Sequence, residues 1–297
     1  MSIINSLPEI KGSYRENSDL SKTNWFGVGG LAEILFRPHD LDDLIHFLKH
    51  KPRNINVTII GVGSNLIIRD NGIKGVVIRL GRGFVENSVN GDILTVGAGA
   101  LSYNVSMFAL SHSLKNLEFL SGIPGTIGGN VAMNAGAYGN DIANIFIEAE
   151  AVDLDGNLYY LSNKDMGFVY RGNNVPSEFI FTKVKLKGEY GDAAFIRAKI
   201  DEIRIKREET QPIRSRTSGS TFANPTSYKA WELIDKAGCR GLKVGGAIIS
   251  EKHCNFMINE NNATAKDLET LGEIVKQKVK ETSNIELEWE IKIIGEK

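Results

Sequence analysis

Two stretches of this sequence are built so that something can come close to the main chain. The first is Gly61-Val62-Gly63-Ser64-Asn65, directly after an apolar run, where converging amides could meet a phosphate. It misses the dinucleotide fingerprint, because Leu66 occupies the third glycine position, and it lacks the lysine of a P-loop. A tight turn and a ligand loop fit it about equally. The second is longer: Ser121-Gly122-Ile123-Pro124-Gly125-Thr126-Ile127-Gly128-Gly129-Asn130, followed by Asn134-Ala135-Gly136-Ala137-Tyr138-Gly139. Each glycine costs backbone entropy, which a fold tolerates mainly where a group must approach closely. A long, nearly uncharged loop of small residues suits a large flat cofactor with a diphosphate held by backbone donors. A bulged, turn-rich connection is the alternative.

Other reactive side chains are sparse. The histidines His39, His46, His50, His112 and His253 show no metal-ligand spacing; His46 and His50 share a helix face but have no third ligand nearby. Cys239 and Cys254 form neither a CxxC pair nor a disulfide framework, and read as reduced thiols. Taken alone, Ser220 is a turn residue in a polar loop and Arg171 a solvated charge before a glycine. Glu290 shares a strand face with Glu286 and Glu288, ordinarily a face toward solvent.

The elements that must position these residues alternate in type. Leu41, Leu44, Ile45 and Leu48 have helical spacing, and Asn56-Val57-Thr58-Ile59-Ile60 reads as a buried strand ending at Gly61. From Ile67 to Val96, short apolar runs broken by glycines predict antiparallel β-structure, with Asn90-Gly91 as a hairpin turn. Helices are expected over 101–114, 195–207 and 230–237, the last closed by Gly238. Strands are expected over 149–152 and 180–184. Another helix starts at Thr264, where Thr264-Ala265-Lys266-Asp267 has capping-box spacing with Asp in place of Glu. A terminal strand over 285–294 would put Ile285, Leu287, Trp289 and Ile291 on one face.

At 297 residues the chain is too long for one ordinary core and long enough for two or three. Its net charge of -1 gives no field to steer it onto nucleic acid or an anionic membrane, so any anionic ligand needs a local arrangement. No apolar run approaches a membrane span, and Met1-Ser2-Ile3-Ile4-Asn5 lacks the basic start and apolar stretch of a signal peptide.

The motifs, taken in order, resemble a known family. Gly61-Val62-Gly63-Ser64-Asn65-Leu66 with Asp70, and Ser121 to Gly129, resemble the two FAD-contacting loops of the UDP-N-acetylenolpyruvoylglucosamine reductases. That family lies within the wider flavin-binding fold shared with vanillyl-alcohol oxidase. Tyr170-Arg171 resembles the family's catalytic Tyr-Arg, and Gly219-Ser220-Thr221-Phe222-Ala223-Asn224-Pro225 its serine loop. Lys252-His253 to Asn259 and Glu288 to Gly295 also match, so the likeness runs from about Thr23 to Gly295. Asn173 stands where the family often has Ser, and Ala223 where a basic residue is common. There is no long tyrosine-bearing insertion, as in the family's shorter type.

The resemblance implies an α+β fold: two α+β FAD-binding subdomains, residues 1–80 and 81–207, and a C-terminal α+β substrate domain, 208–297, whose last strand returns to the flavin. It implies FAD held without a covalent bond, since no histidine lies between Gly61 and Asp70. The FAD contacts would be Gly61, Gly63, Ser64, Asn65, Asp70, Gly122, Ile123, Pro124, Gly125, Gly128, Gly129, Ala135 and Gly136. NADPH would be the reductant, and UDP-N-acetylglucosamine enolpyruvate the substrate reduced to UDP-N-acetylmuramate for peptidoglycan. Ser220 would protonate the carbanion, Arg171 hold the carboxylate, and Glu290, protonated and with a pKa raised by burial, stabilise the enolate-like form. Tyr170, Asn224, Lys252, His253 and Asn255 would touch substrate. The location implied is cytoplasmic, with no nucleic-acid, membrane or obligate protein partner. Two readings from elsewhere stay open: an oxidase of the same fold acting on an alcohol or sugar, and a non-catalytic UDP-sugar sensor.

Overall fold

Apolar β-branched runs such as Val57–Ile60 and Ile73–Arg79 make the buried strands here, and amphipathic stretches such as Leu41–His50 and Ala265–Ser283 make the helices. The computed structural model describes residues 3–297; Met1 and Ser2, part of the start read above as lacking an export signal, lie outside them. The chain divides into two units built from discontinuous segments. Among the described residues, 3–16, 34–61 and 75–206 form the first, and 17–33, 62–74 and 207–297 the second.

In the first unit, Val57–Ile60 pairs in parallel with Ile73–Arg79, as Val57↔Val76 through Ile60↔Arg79, within a sheet that also holds Leu31–Arg37 and Ser13–Asp19. The helix Leu41–His50 is capped by the Asp40 carboxylate on the Asp43 amide. Its Leu44, Phe47 and Leu48 bury against Ile34, Phe36, Val76 and Ile78, each worth roughly 1.5–3 kcal/mol of burial. Asp43 is itself buried, and accepts the amides of Lys11, Gly12 and His39 at 2.7–2.9 Å, so its charge is satisfied by backbone donors.

A second buried cluster in this unit lies on a five-stranded antiparallel sheet ordered Leu158–Ser162, Phe146–Val152, Ile180–Lys187, Ile93–Gly97, Asn87–Asn90. Leu94, Val96, Ala149, Val184 and Leu186 pack there with Val105 and Ala109 of the helix Ser102–Ser111. The expected hairpin forms one residue later than read, since Asn90 pairs with Ile93 and the turn is Gly91-Asp92, with Gly91 at φ +61°. The helix Ala193–Thr210 packs Ile196 and Ile200 on Leu110 and stops before Gln211-Pro212.

The second unit centres on the helix Ala265–Ser283. Both halves of its expected capping box are present, Thr264 taking the Asp267 amide and Asp267 the Thr264 amide. Leu268, Leu271, Val275 and Val279 bury against Phe222, Ile234, Met257 and Leu287. Ala247–Ile249 pairs antiparallel with Lys243–Val244 and Met257–Asn259, and Ala230–Lys236 ends before Gly238 at φ +68°. No described helix is long and apolar enough to cross a membrane.

Two strand expectations are corrected. Leu66–Ile68 and Ile73–Arg79 are paired in parallel, not antiparallel, and the partner of Leu66–Ile68 is Lys292–Ile294. The terminal strand covers only Lys292–Ile294. Ahead of it, Ile285, Leu287, Trp289 and Ile291 do pack on one side as expected. The Trp289 ring lies on Gly272, where a Cβ would stand 2.0 Å from the indole, and its Nε1 donates to Glu273 at 2.8 Å. That stretch lies against the serine loop through the bridge Phe222↔Trp289, with Ala223 N donating to Glu288 O and Glu290 N to Thr221 O, both at 2.9 Å.

Candidate active site

In the first unit the two glycine segments meet. A Cβ on Gly61 would lie 2.7 Å from Thr126 Oγ1, and Thr126 caps the short helix Ile127–Ala132. Gly125 sits at φ +126°, a conformation that favours glycine, and its carbonyl accepts the Ser102 amide at 3.1 Å. Other glycines serve the protein's own packing. A Cβ on Gly122 would come 2.6 Å from the Tyr138 ring, one on Gly128 3.0 Å from Ala98, and one on Gly136 2.7 Å from Asp141. Gly129 is exposed, with only Thr126 Oγ1 near, and Ile123 and Pro124 are half-buried beside it. Ala135 is buried, its amide on Asn130 O at 2.8 Å. This unit thus offers an uncharged, tightly folded loop, and part of its glycine content answers to sterics inside the protein.

Tyr170 and Arg171 form the tip of a tight turn closed by Val169 and Gly172, whose amides donate to each other's carbonyls at 3.0 and 3.2 Å. Arg171 sits at φ +57°, a left-handed conformation that costs a non-glycine residue about 1–2 kcal/mol. Its Nη2 donates to Gly136 O at 3.0 Å, so the glycine loop holds the guanidinium, which also lies 5.1 Å from the Tyr170 ring centroid. Asn134 donates to Val169 O at 3.0 Å, and Asn173 donates to Ala132 O at 2.9 Å, at the end of the short helix. That contact gives Asn173 a structural task. Tyr170 is 59% exposed.

In the second unit the serine loop is threaded between two segments. Ser220 bridges to Phe256; Thr221 N donates to Asn255 O at 2.8 Å, and Glu290 N donates to Thr221 O at 2.9 Å. Asn255 is buried, takes the Phe222 amide at 3.0 Å and donates to the Phe222 carbonyl at 2.8 Å. Its amide thus replaces a strand partner, using one of its two N–H donors and one of its two acceptor lone pairs. Asn65 donates to Glu290 O at 3.0 Å and accepts Lys292 N. Ser220 and Glu290 are therefore tied through the backbone of Thr221, and both are half-buried.

The remaining expected residues are also placed. Gly63 needs φ +66° and Ser64 is half-buried. Both Asp70 oxygens accept amides at the start of the long helix, from Ala265 at 2.9 Å and Lys266 at 3.1 Å. Asn224 takes the Ala230 amide at 2.9 Å, and Lys252 Nζ donates to the Glu208 carbonyl. His253 Nδ1 accepts the Asn255 amide at 3.3 Å, and its ring stands edge-on to Phe256 at 4.7 Å. Burial holds the imidazole below its ordinary pKa, opposed by a backbone hydrogen bond and assisted by the Arg240 charge. A groove of about 1240 Å³ runs along the helix Ala265–Ser283; of the expected residues, only Asp70 lines it. The groove is not where the chemistry gathers.

Thr221 was missed in the sequence, although it sits between two residues singled out there. Thr217 and Ser218 were missed as well: both are buried, and their hydroxyls have no hydrogen-bond partner. Such groups ordinarily meet water or a ligand, and the small polar run ahead of Gly219 was the signal available.

Comparison with known proteins fits both halves. Residues 32–162 match the family model described as FAD binding domain, and residues 211–294 that of UDP-N-acetylenolpyruvoylglucosamine reductase, C-terminal domain. A UDP-N-acetylenolpyruvoylglucosamine reductase of Bradyrhizobium sp. (strain ORS 278) is 53% identical over 293 residues, covering 98% of this chain and 95% of the relative. One from Rickettsia prowazekii (strain Madrid E) is 52% identical, over 97% and 98% of the two chains. Among solved structures, the UDP-N-acetylenolpyruvylglucosamine reductase of Thermus caldophilus aligns over 96% of this chain and 99% of that one, at TM-score 0.83 and 31% identity.

Proposed function

This chain belongs to the UDP-N-acetylenolpyruvoylglucosamine reductase family, and from that premise we propose a division of labour among its residues. The protein is an FAD-dependent oxidoreductase that uses NADPH to reduce UDP-N-acetylglucosamine enolpyruvate to UDP-N-acetylmuramate in peptidoglycan precursor synthesis. Bound FAD supplies the hydride chemistry, accepting from NADPH and delivering to the methylene carbon of the enolpyruvyl group.

The chain's own residues deal with the charge and the proton. Arg171 holds the substrate carboxylate with a permanent positive charge, oriented by its bond to Gly136. Ser220 Oγ gives its proton to the neighbouring carbon as negative charge develops there, a contribution of about 10²–10⁴-fold. A serine hydroxyl is a weak acid, but a carbanion is a strong base and a fixed short path compensates. Glu290 acts in its protonated form, donating a hydrogen bond to the enolate-like oxygen. Tyr170, Asn224, Lys252 and His253 contact the nucleotide sugar, and Asn255 positions the serine loop from behind. FAD contacts come from Gly61 to Asn65 and Gly122 to Gly136; Asp70 serves by fixing the turn after the first of these.

The observation that carries this reading is that Thr221, next to Ser220 in the chain, accepts the Glu290 amide and donates to Asn255, so that Ser220 and Glu290 sit on adjoining backbone. Flavin-binding subdomains over 1–80 and 81–207 and a substrate domain over 208–297 form part of the proposal. The presence of two buried clusters in the first unit supports two cores there, although Val152 and Ile180 join the earlier one. A cytoplasmic location, and the absence of an obligate protein partner, belong to the same proposal. The test is the visible spectrum of the purified protein, followed anaerobically. Flavin absorbance should bleach with NADPH and return only when the enolpyruvyl nucleotide sugar is added. Return with oxygen alone would mark an oxidase, and absence of flavin after reconstitution would overturn the reading.

A further inference from the structure

Arg37 and Arg79 are two positive charges in the first unit that the chemistry above does not use. Each is the last residue of a seven-residue strand, Leu31–Arg37 and Ile73–Arg79, and the strands are neighbours in one sheet. The strands start together, since a Cβ on Gly72 would lie 2.1 Å from Leu31 O, so two runs of equal length also finish together. Arg79 is opposite Ile60 in the next parallel strand, and Gly61 follows at once, against Thr126 of the glycine loop. Alternation then fixes the face. Phe36, Ile78 and Ile59 lie in the cluster under the helix Leu41–His50, so Arg37, Arg79 and Ile60 belong to the opposite face.

Both arginines are half-buried, and Arg37 Nε is buried with no hydrogen-bond partner. Neither has a carboxylate partner among the described residues. Burial and the charge of Arg37 both lower the pKa of Arg79, as expected for like charges held side by side. A fold gains nothing from two adjacent unpaired guanidinium groups, whose repulsion and desolvation both oppose it. An anion between them reverses both terms, and the carboxyl ends of parallel strands are where anionic cofactors bind in such sheets. Guanidinium matches phosphate with two parallel hydrogen bonds.

We propose that Arg37 and Arg79 form a phosphate clamp for the ADP half of FAD. The clamp rests on the reading above, and adds charge to a site whose glycine loops supply only backbone donors.

Flavin-free protein titrated with FAD and, separately, with riboflavin tests this through flavin fluorescence, without any measurement of turnover. Arg37→Gln and Arg79→Gln should each weaken FAD binding about 10- to 100-fold, while riboflavin, which has no phosphate, binds as before. ADP should compete with FAD on the wild-type protein and compete far less on the variants. The thermal midpoint of the flavin-free variants should stay level or rise, because a repulsion has been removed. Arg79→Lys, which keeps the charge and loses the fork, should fall between; it also serves if Arg79→Gln does not fold. Unchanged FAD affinity overturns the clamp, as does an equal loss for riboflavin, which would mean general damage. Failure of the wild-type protein to take up FAD would overturn the functional reading itself, and the clamp with it.

Discussion

In the first unit the Tyr170-Arg171 turn is held from outside, by main-chain carbonyls at Gly136 and by the asparagines Asn134 and Asn173 reaching around it. Arg171 keeps a left-handed backbone there, at φ +57°. In the second unit the serine loop is held from inside, by the buried amide of Asn255 and the backbone of Thr221. The first arrangement places a charge at the tip of a strained turn, where the side chain can change without emptying a core. The second uses the same atoms for folding and for aiming Ser220. Substitutions should therefore separate activity from stability in the first unit and couple them in the second.

The largest effect expected is that of Ser220→Ala. Reoxidation by the enolpyruvyl substrate should slow about 10³-fold, with flavin reduction by NADPH unchanged within about twofold, as read by anaerobic stopped flow. Equal loss in both half-reactions would break the comparison at once, since it would make the hydroxyl a structural element. Next is Arg171→Gly, expected to lower kcat/KM for the sugar about 100-fold. Its stability in urea should stay within about 1 kcal/mol of wild type, because relief of the left-handed backbone offsets the lost bond to Gly136. A large drop in stability would show that the outer hold matters as much as the inner one.

Asn255→Ala sharpens the opposite side. It leaves the Phe222 amide and carbonyl without partners, so about 2–4 kcal/mol of stability and much of the Ser220 half-reaction should be lost together. The smallest effect is a pH dependence at His253. Burial holds its folded-state pKa below the unfolded value, so the unfolded chain takes up that proton more readily. Stability should decline as pH falls through about 6.5 and stop declining below the folded pKa. Urea unfolding between pH 7.5 and 5 measures the slope, and His253→Asn should flatten it.

Much of this was legible in the sequence where the information is local. The capping box at Thr264 and Asp267 was readable because both partners lie within one turn, and the second glycine loop stood out by composition. Parallel pairing was not legible. Ile73–Arg79 looks like any apolar strand, and only its distant partner Val57–Ile60 decides its direction. The alternation over 285–294 gave the buried face correctly, with Ile285, Leu287, Trp289 and Ile291 in one cluster, but not the length of the regular strand, which covers only Lys292–Ile294. Asp70 and Asn255 matched the motifs, and both also bond the protein's own backbone, a task which no motif reveals. Arg37 and Arg79 were missed because a charged residue ending an apolar run looks like an ordinary strand end. Two such ends side by side are visible only when the sheet is assembled.

The pairing of Leu66–Ile68 with Lys292–Ile294 has a consequence during synthesis. The first of these strands leaves the ribosome some 220 residues before its partner exists, a wait of roughly 10–45 s at about 5–20 residues per second. Through that interval Leu66-Ile67-Ile68 is an apolar edge with open backbone groups, the kind of surface that recruits the wrong neighbour. Chaperone binding and misassembly of the nascent chain should therefore concentrate on this short run, and slowing translation of the last third of the message should worsen both.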